Sequence, residues 1–196
     1  MKESYVFLAD GFEEVEALTP VDVLRRGGVS VKTVSITSSL QVTGAHGVSV
    51  VADVIWNNSL FQDPKWLILP GGMPGATNLY EFAPLQGLLR QQFESKDGRI
   101  AAICASPAVI LGQMGLLKGR KATCYPGMED LMEGAKPVDK RVTVDNKFVL
   151  GNGPSSALPW ALAILKEECG EVKSNNVANA MLLYPQNFDD LNNFFG

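Results

Sequence analysis

The run Arg99-Ile100-Ala101-Ala102-Ile103-Cys104-Ala105-Ser106-Pro107-Ala108-Val109-Ile110-Leu111 leaves the backbone few paths. Ile100 to Ile103 is small and apolar throughout, as in a strand covered on both faces. Ser106 and Pro107 read as the N-cap and first position of a helix, which runs apolar to Met114 and is expected to stop at Gly115. A strand passing straight into a helix turns its joint residue outward, the geometry of a nucleophile elbow. That residue is Cys104. A thiol at a helix N-terminus meets free amides and the positive end of the dipole, so a stabilised thiolate is expected there.

The rest of the chain repeats the strand-then-helix pattern. Ser4–Ala9, Val29–Ile36, Trp66–Leu69 and Ala122–Tyr125 read as strands, and Glu13–Arg26, Pro84–Ser95 and Ala157–Glu168 as helices. Val42–Val50 reads as a hairpin, Val142–Val144 with Lys147–Leu150 as another, and Glu129–Glu133 as a short helix. Such alternation makes an α/β sandwich with a mostly parallel sheet. No linker or repeat divides the 196 residues, which are expected to form one domain over 1–196 with a loose tail at 186–196. Ligands in these folds bind beyond the carboxyl ends of the strands. That rule gathers Gly11 to Glu16, Gly71-Gly72, Cys104, Tyr125 and Gly153-Pro154 around one crevice.

Composition excludes several classes of function. A net charge of −4 gives no footprint for nucleic acid or an anionic membrane. No apolar run approaches the ~20 residues of a membrane span. The chain enters a strand within its first residues, with no signal peptide ahead of it. Cysteines at 104, 124 and 169 have neither metal-ligand spacing nor the even count of a disulfide framework, which points to a reducing cytoplasm. The glycines at 71, 72 and 75 form neither a GxGxxG nor a P-loop pattern, so no nucleotide is expected.

The fragments Ala9-Asp10-Gly11-Phe12-Glu13-Glu14-Val15-Glu16, Pro20 to Arg26, Leu69-Pro70-Gly71-Gly72, Ala101 to Ala105 and Gly151-Asn152-Gly153-Pro154 resemble, in order and spacing, the ThiJ/PfpI superfamily. Within it they are similar to the branch of the parkinsonism-associated protein deglycase (DJ-one), over Ser4 to about Glu168. The resemblance implies a flavodoxin-like three-layer sandwich, akin to class I glutamine amidotransferases, and a homodimer. It makes Cys104 the reactive thiol and Glu16 its acidic partner, with Gly71, Gly72 and Ala105 supplying the facing backbone amides. The branch is associated with glyoxalase III-type conversion of methylglyoxal, protein deglycation, oxidative-stress sensing and holdase behaviour. Older names in the superfamily speak of thiazole monophosphate biosynthesis and intracellular proteases.

Two departures narrow the expectation. Ala105 stands where the protease-like branch carries a histidine after the nucleophile, which argues against peptidase chemistry. Tyr125 stands where the deglycase branch often has a histidine, and a phenol positions a substrate better than it accepts a proton at neutral pH. His46, the only histidine, reads as a solvated loop residue, with a role beside the partner subunit's pocket implied by the family's dimer. Glu13 and Glu14 read as acids that complement the helix dipole. Cys124 falls near the pocket rim with Tyr125 and Pro154, and Cys169 reads as incidental. The apolar positions from Val15 to Leu24 suit either a dimer face or ordinary core. The leading expectation is a cytoplasmic homodimer acting on small reactive carbonyls without metal or organic cofactor. A redox-regulated chaperone or sensor with no turnover is the alternative, and a hydrolase of another small substrate a third reading.

Overall fold

The computed structural model describes residues 2–145 and 147–183. In chain order the first strands are β1 (Ser4–Leu8), β2 (Val31–Ser35), β3 (Gln41–Thr43), β4 (Ser49–Val51), β5 (Val54–Ile55) and β6 (Trp66–Leu69). They are followed by β7 (Arg99–Ile103), β8 (Lys121–Ala122), β9 (Lys136–Pro137), β10 (Val142–Asp145) and β11 (Phe148–Gly151). Seven of them make one sheet in the order β10-β11-β7-β6-β1-β2-β5, parallel except for the β10–β11 hairpin.

The central strands are apolar on both faces because helices cover both. Val6, Leu8, Ala101 and Ile103 point into one core layer, and Tyr5, Phe7, Ile100 and Ala102 into the other. Helices α1 (Glu14–Arg26) and α4 (Ala157–Cys169) close the first layer through Val21, Leu24, Trp160 and Leu165. Helices α2 (Gly75–Glu81) and α3 (Ala83–Glu94) close the second through Leu79, Leu85 and Leu89. Trp160 is wholly buried, and its Nε1–H donates to the Val149 carbonyl at 2.9 Å, which fixes α4 to the sheet. Helix α5 (Glu171–Ala180) packs on α4. The result is the flavodoxin-like α/β sandwich that the strand–helix alternation predicts.

Local expectations fare unevenly. The expected strand Ala122–Tyr125 shrinks to Lys121–Ala122, because the Tyr125 N–H leaves the ladder to donate to the Cys104 carbonyl at 2.8 Å. The expected helix at Glu129 is a single 3-10 turn over Glu129–Leu131. Helices α2 and α5 and the short edge strand β5 have no counterpart in the hydrophobic periodicity. The expected tail at 186–196 lies outside the described residues. No helix among the described residues is long and apolar enough to cross a membrane.

Candidate active site

The sheet order reverses around β1, so the loops after β1, β6 and β7 converge at one edge, where α/β folds place their ligands. Cys104 closes β7 with φ at +63°, a left-handed conformation that a side chain other than glycine's adopts at a cost. Both its backbone groups are held: its N–H donates to the Gly151 carbonyl at 3.0 Å and its carbonyl accepts from Tyr125. The strained joint is therefore fixed by β11 on one side and the Tyr125 turn on the other.

The helix beyond the joint is not an ordinary α-helix with a serine cap. Pro107–Gly112 winds as a π-helix, with the Gln113 N–H reaching the Ala108 carbonyl at 3.3 Å. Ser106 is itself helical in backbone and makes no capping bond. Its buried hydroxyl donates instead to the Pro70 carbonyl at 2.5 Å, joining the elbow to the β6 loop. Ser106→Ala would leave that buried carbonyl without its donor. It should lower the unfolding free energy by about 1–3 kcal/mol, read as a shift of the urea midpoint.

Glu16, in the first turn of α1, is fully buried and reaches the same point. Its Oε2 accepts from the Gly71 N–H at 2.8 Å, and its Oε1 has no hydrogen-bond partner among the described residues. Gly71 is required by space: a Cβ there would stand 2.6 Å from both Cys104 Cβ and Glu16 Oε2. Gly72 is required by space and conformation, with φ at +88° and a hypothetical Cβ 2.4 Å from the Glu13 nitrogen. The Gly72 and Ala105 amides face the Cys104 thiol.

The electrostatics correct the expectation of a dipole-stabilised thiolate. Burial, followed by the charge of Glu16, pushes the Cys104 thiol up to about 12, against the opposing pull of the Gly72 and Ala105 amides. Burial also pushes Glu16 up to about 7, assisted by the Glu13 charge and opposed by its bonds to Gly71 and Cys104. The helix terminus supplies amides, but the closed cavity and adjacent carboxylate outweigh them. The two groups titrate as a unit that holds one proton and one negative charge across the range between these values.

This coupling has a stability signature. Folded Glu16 keeps its proton to about 7, whereas the unfolded side chain loses it near its ordinary 4.5. Between those pH values the native state binds more protons than the unfolded state, so stability falls as pH rises. The group should cost up to about 3 kcal/mol by neutrality. Urea unfolding of Glu16→Gln from pH 4.5 to 7 should lack that decline.

The remaining candidates divide. The Tyr125 ring is half-exposed and lies 3.8 Å from where a Gly153 Cβ would stand, with exposed Pro154 following. Cys124 is buried, and its thiol donates to the Tyr125 carbonyl at 3.4 Å. Burial and the Glu129 charge push that thiol up to about 11, and it lines a separate cleft with Pro126, Asp139 and Asn152. Cys169 is exposed at the end of α4. His46 is largely exposed but not merely solvated: its Nδ1 lies 2.8 Å from Glu14 Oε2. Glu14, read as a dipole complement, is a buried anchor whose Oε1 accepts from the backbone of His46 at 2.8 Å and of Val48 at 3.4 Å. That role spans 32 residues of chain and has no local sequence signal. A groove of about 460 Å³ lined by Pro159 and Leu162 of α4 and Asn175 and Ala178 of α5 contains none of these residues.

The profile of the DJ-1/PfpI family matches residues 2–167. Protein DJ-1 homolog B of Arabidopsis thaliana is 36% identical over 191 residues, 96% of this chain and 43% of that protein. The chain thus spans under half the length of that relative. A Caenorhabditis elegans protein named glutathione-independent glyoxalase DJR-1.2 is 34% identical over 173 residues, 87% of this chain and 90% of that one. The solved structure of oxidized Toxoplasma gondii DJ-1 superposes with a TM-score of 0.88 at 36% identity, covering 94% of this chain and all of that one. With the profile spanning both the elbow and the loops that meet it, the chain belongs to the DJ-1/PfpI family.

Proposed function

We propose that the chain converts small 2-oxoaldehydes such as methylglyoxal to 2-hydroxy acids, with Cys104 as nucleophile and Glu16 as proton carrier. The observation that carries this reading is the wholly buried Glu16 carboxyl beside the elbow thiol, one oxygen held by Gly71 and the other without a partner among the described residues. The similarity to the Caenorhabditis elegans protein named a glutathione-independent glyoxalase supports it.

The thiol sulfur adds to the aldehyde carbon, and its proton passes to the Glu16 carboxylate. The new oxyanion lies toward the Gly72 and Ala105 amides. Glu16 hands that proton to the neighbouring carbonyl oxygen, then takes the proton of the former aldehyde carbon and returns it to the neighbouring carbon, oxidising one carbon and reducing the other. A thioester of the hydroxy acid results. Water cleaves it, restoring the thiol, so the net change is addition of one water. Tyr125 orients the substrate at the rim, and no step calls on it as a base. A pKa near 7 lets Glu16 both take and return a proton at neutral pH.

A second reading, an oxidation-sensing protein of the stress response with holdase behaviour, is favoured by the same unpartnered oxygen. A protonated Glu16 would donate from Oε1 to a sulfinate on Cys104. The Toxoplasma gondii relative is itself described in an oxidized form. Val15, Leu18, Val48 and Val51, exposed on α1 and the β3–β4 hairpin, form the face we assign to a homodimer. A cytoplasmic location completes the proposal. The test is to incubate the protein with methylglyoxal in the absence of glutathione. Lactate formation supports the enzyme. Absence of turnover, with a two-oxygen mass gain at Cys104 under mild peroxide, supports the sensor.

A further inference from the structure

We propose that Glu13, Glu14 and His46 form a binding site for a divalent transition-metal ion of the zinc class, outside the Cys104–Glu16 pair. His46 Nδ1 lies 2.8 Å from Glu14 Oε2 and 3.5 Å from Glu13 Oε2. One donor atom from each of the three residues falls within 4.8 Å of the other two. Ligands about 2.1 Å from a common tetrahedral ion stand about 3.4 Å apart, so small side-chain rotations bring the three donors to bonding positions.

The donors are held before any ion arrives. Glu14 is fixed by two backbone N–H groups at its Oε1, which leaves Oε2 turned toward the imidazole. Gly44 permits this approach, because a Cβ there would come within 2.4 Å of the Glu14 carboxyl. The hairpin carrying His46 is tied to the loop before α1 by Ala45 N–H to the Phe12 carbonyl at 2.8 Å and Gly11 N–H to the Thr43 carbonyl at 2.8 Å. The backbone of Glu13 is fixed by its N–H, which donates to the Gly71 carbonyl at 2.9 Å. Carboxylate ligands oriented by outer hydrogen bonds are a common feature of built metal sites.

The chemistry of the set selects the ion. Two carboxylates close together need a positive charge between them, which a protonated His46 or a dication can supply. One imidazole nitrogen with two carboxylate oxygens suits Zn²⁺, Co²⁺, Ni²⁺ or Cu²⁺. Mg²⁺ and Ca²⁺ prefer an all-oxygen shell. His46 is largely exposed, so water can complete the coordination.

The test uses the full chain without a purification tag, titrated with Zn²⁺ by calorimetry and with Co²⁺ by visible absorption. One ion per chain is expected, with a cobalt ligand-field band. His46→Gln and Glu13→Gln should each weaken binding at least about tenfold, whereas Cys104→Ala should bind as the wild type does. His46 lies at the surface end of the cluster and Glu13 is mostly buried, so a melting temperature close to wild type without metal verifies that each variant is folded. No binding by the wild type overturns the proposal. So does binding that survives both substitutions, or binding lost in Cys104→Ala, since that ion would sit on the thiol.

Discussion

Cys104→Ala is expected to lower methylglyoxal turnover at least about a thousandfold, to the background of the uncatalysed reaction. No other thiol can take over. Cys124 is buried, bonded to the Tyr125 carbonyl and turned into a different cleft, and Cys169 lies at the far end of α4. The fold should survive, because alanine keeps the Cβ and removes only a sulfur at the edge of the core. Unfolding free energy should stay within about 1 kcal/mol of wild type. A folded variant with undiminished turnover would place the chemistry elsewhere.

Gly71→Ala should break the site by a different route. The added methyl would meet Cys104 Cβ and Glu16 Oε2 at 2.6 Å and the Ile103 carbonyl at 3.0 Å. Two of those neighbours cannot yield without moving the elbow, and the third is the oxygen that the Gly71 amide holds. The expected cost is about 1–3 kcal/mol of stability, with loss of turnover as the pair is forced apart. Gly87, inside α3, is the internal control, since nothing lies within 4 Å of a Cβ there. Gly87→Ala should stabilise by about 0.5–1 kcal/mol and leave activity unchanged. Equal behaviour of the two variants in stability and turnover would refute the steric account of Gly71.

The sandwich is legible in the chain because its strands are short apolar runs bounded by glycine-rich turns, and the elbow because strand, cysteine and proline follow without a gap. Contact across the chain is not legible in the same way. Ser106 has the type and place of a helix cap, yet its hydroxyl is taken by a carbonyl 36 residues away. Glu14 looks like any acid in a first helical turn, yet it anchors a hairpin 32 residues on. Helix α5 escapes periodicity because it is polar, with only Ser174 and Val177 buried, and α2 because it is a single short stretch that begins at Gly75. The thiol pKa departs from expectation for a related reason. The amides of a helix terminus are readable in sequence, but the depth of burial and a carboxylate from another element are not. The position of the candidate nucleophile is a local property, and its ionisation is not.

The most direct test of the coupled pair is the alkylation rate of Cys104 by iodoacetamide as a function of pH, resolved by peptide mass spectrometry, in wild type and Glu16→Gln. A pair sharing one proton predicts a wild-type inflection near the Glu16 value of about 7. Glu16→Gln should lose that inflection and bring the alkaline rise in alkylation to lower pH, because the neighbouring charge that holds the thiol up is gone. Superimposable profiles for the two proteins, each with a single inflection near the free-thiol value of about 8.5, would contradict the account.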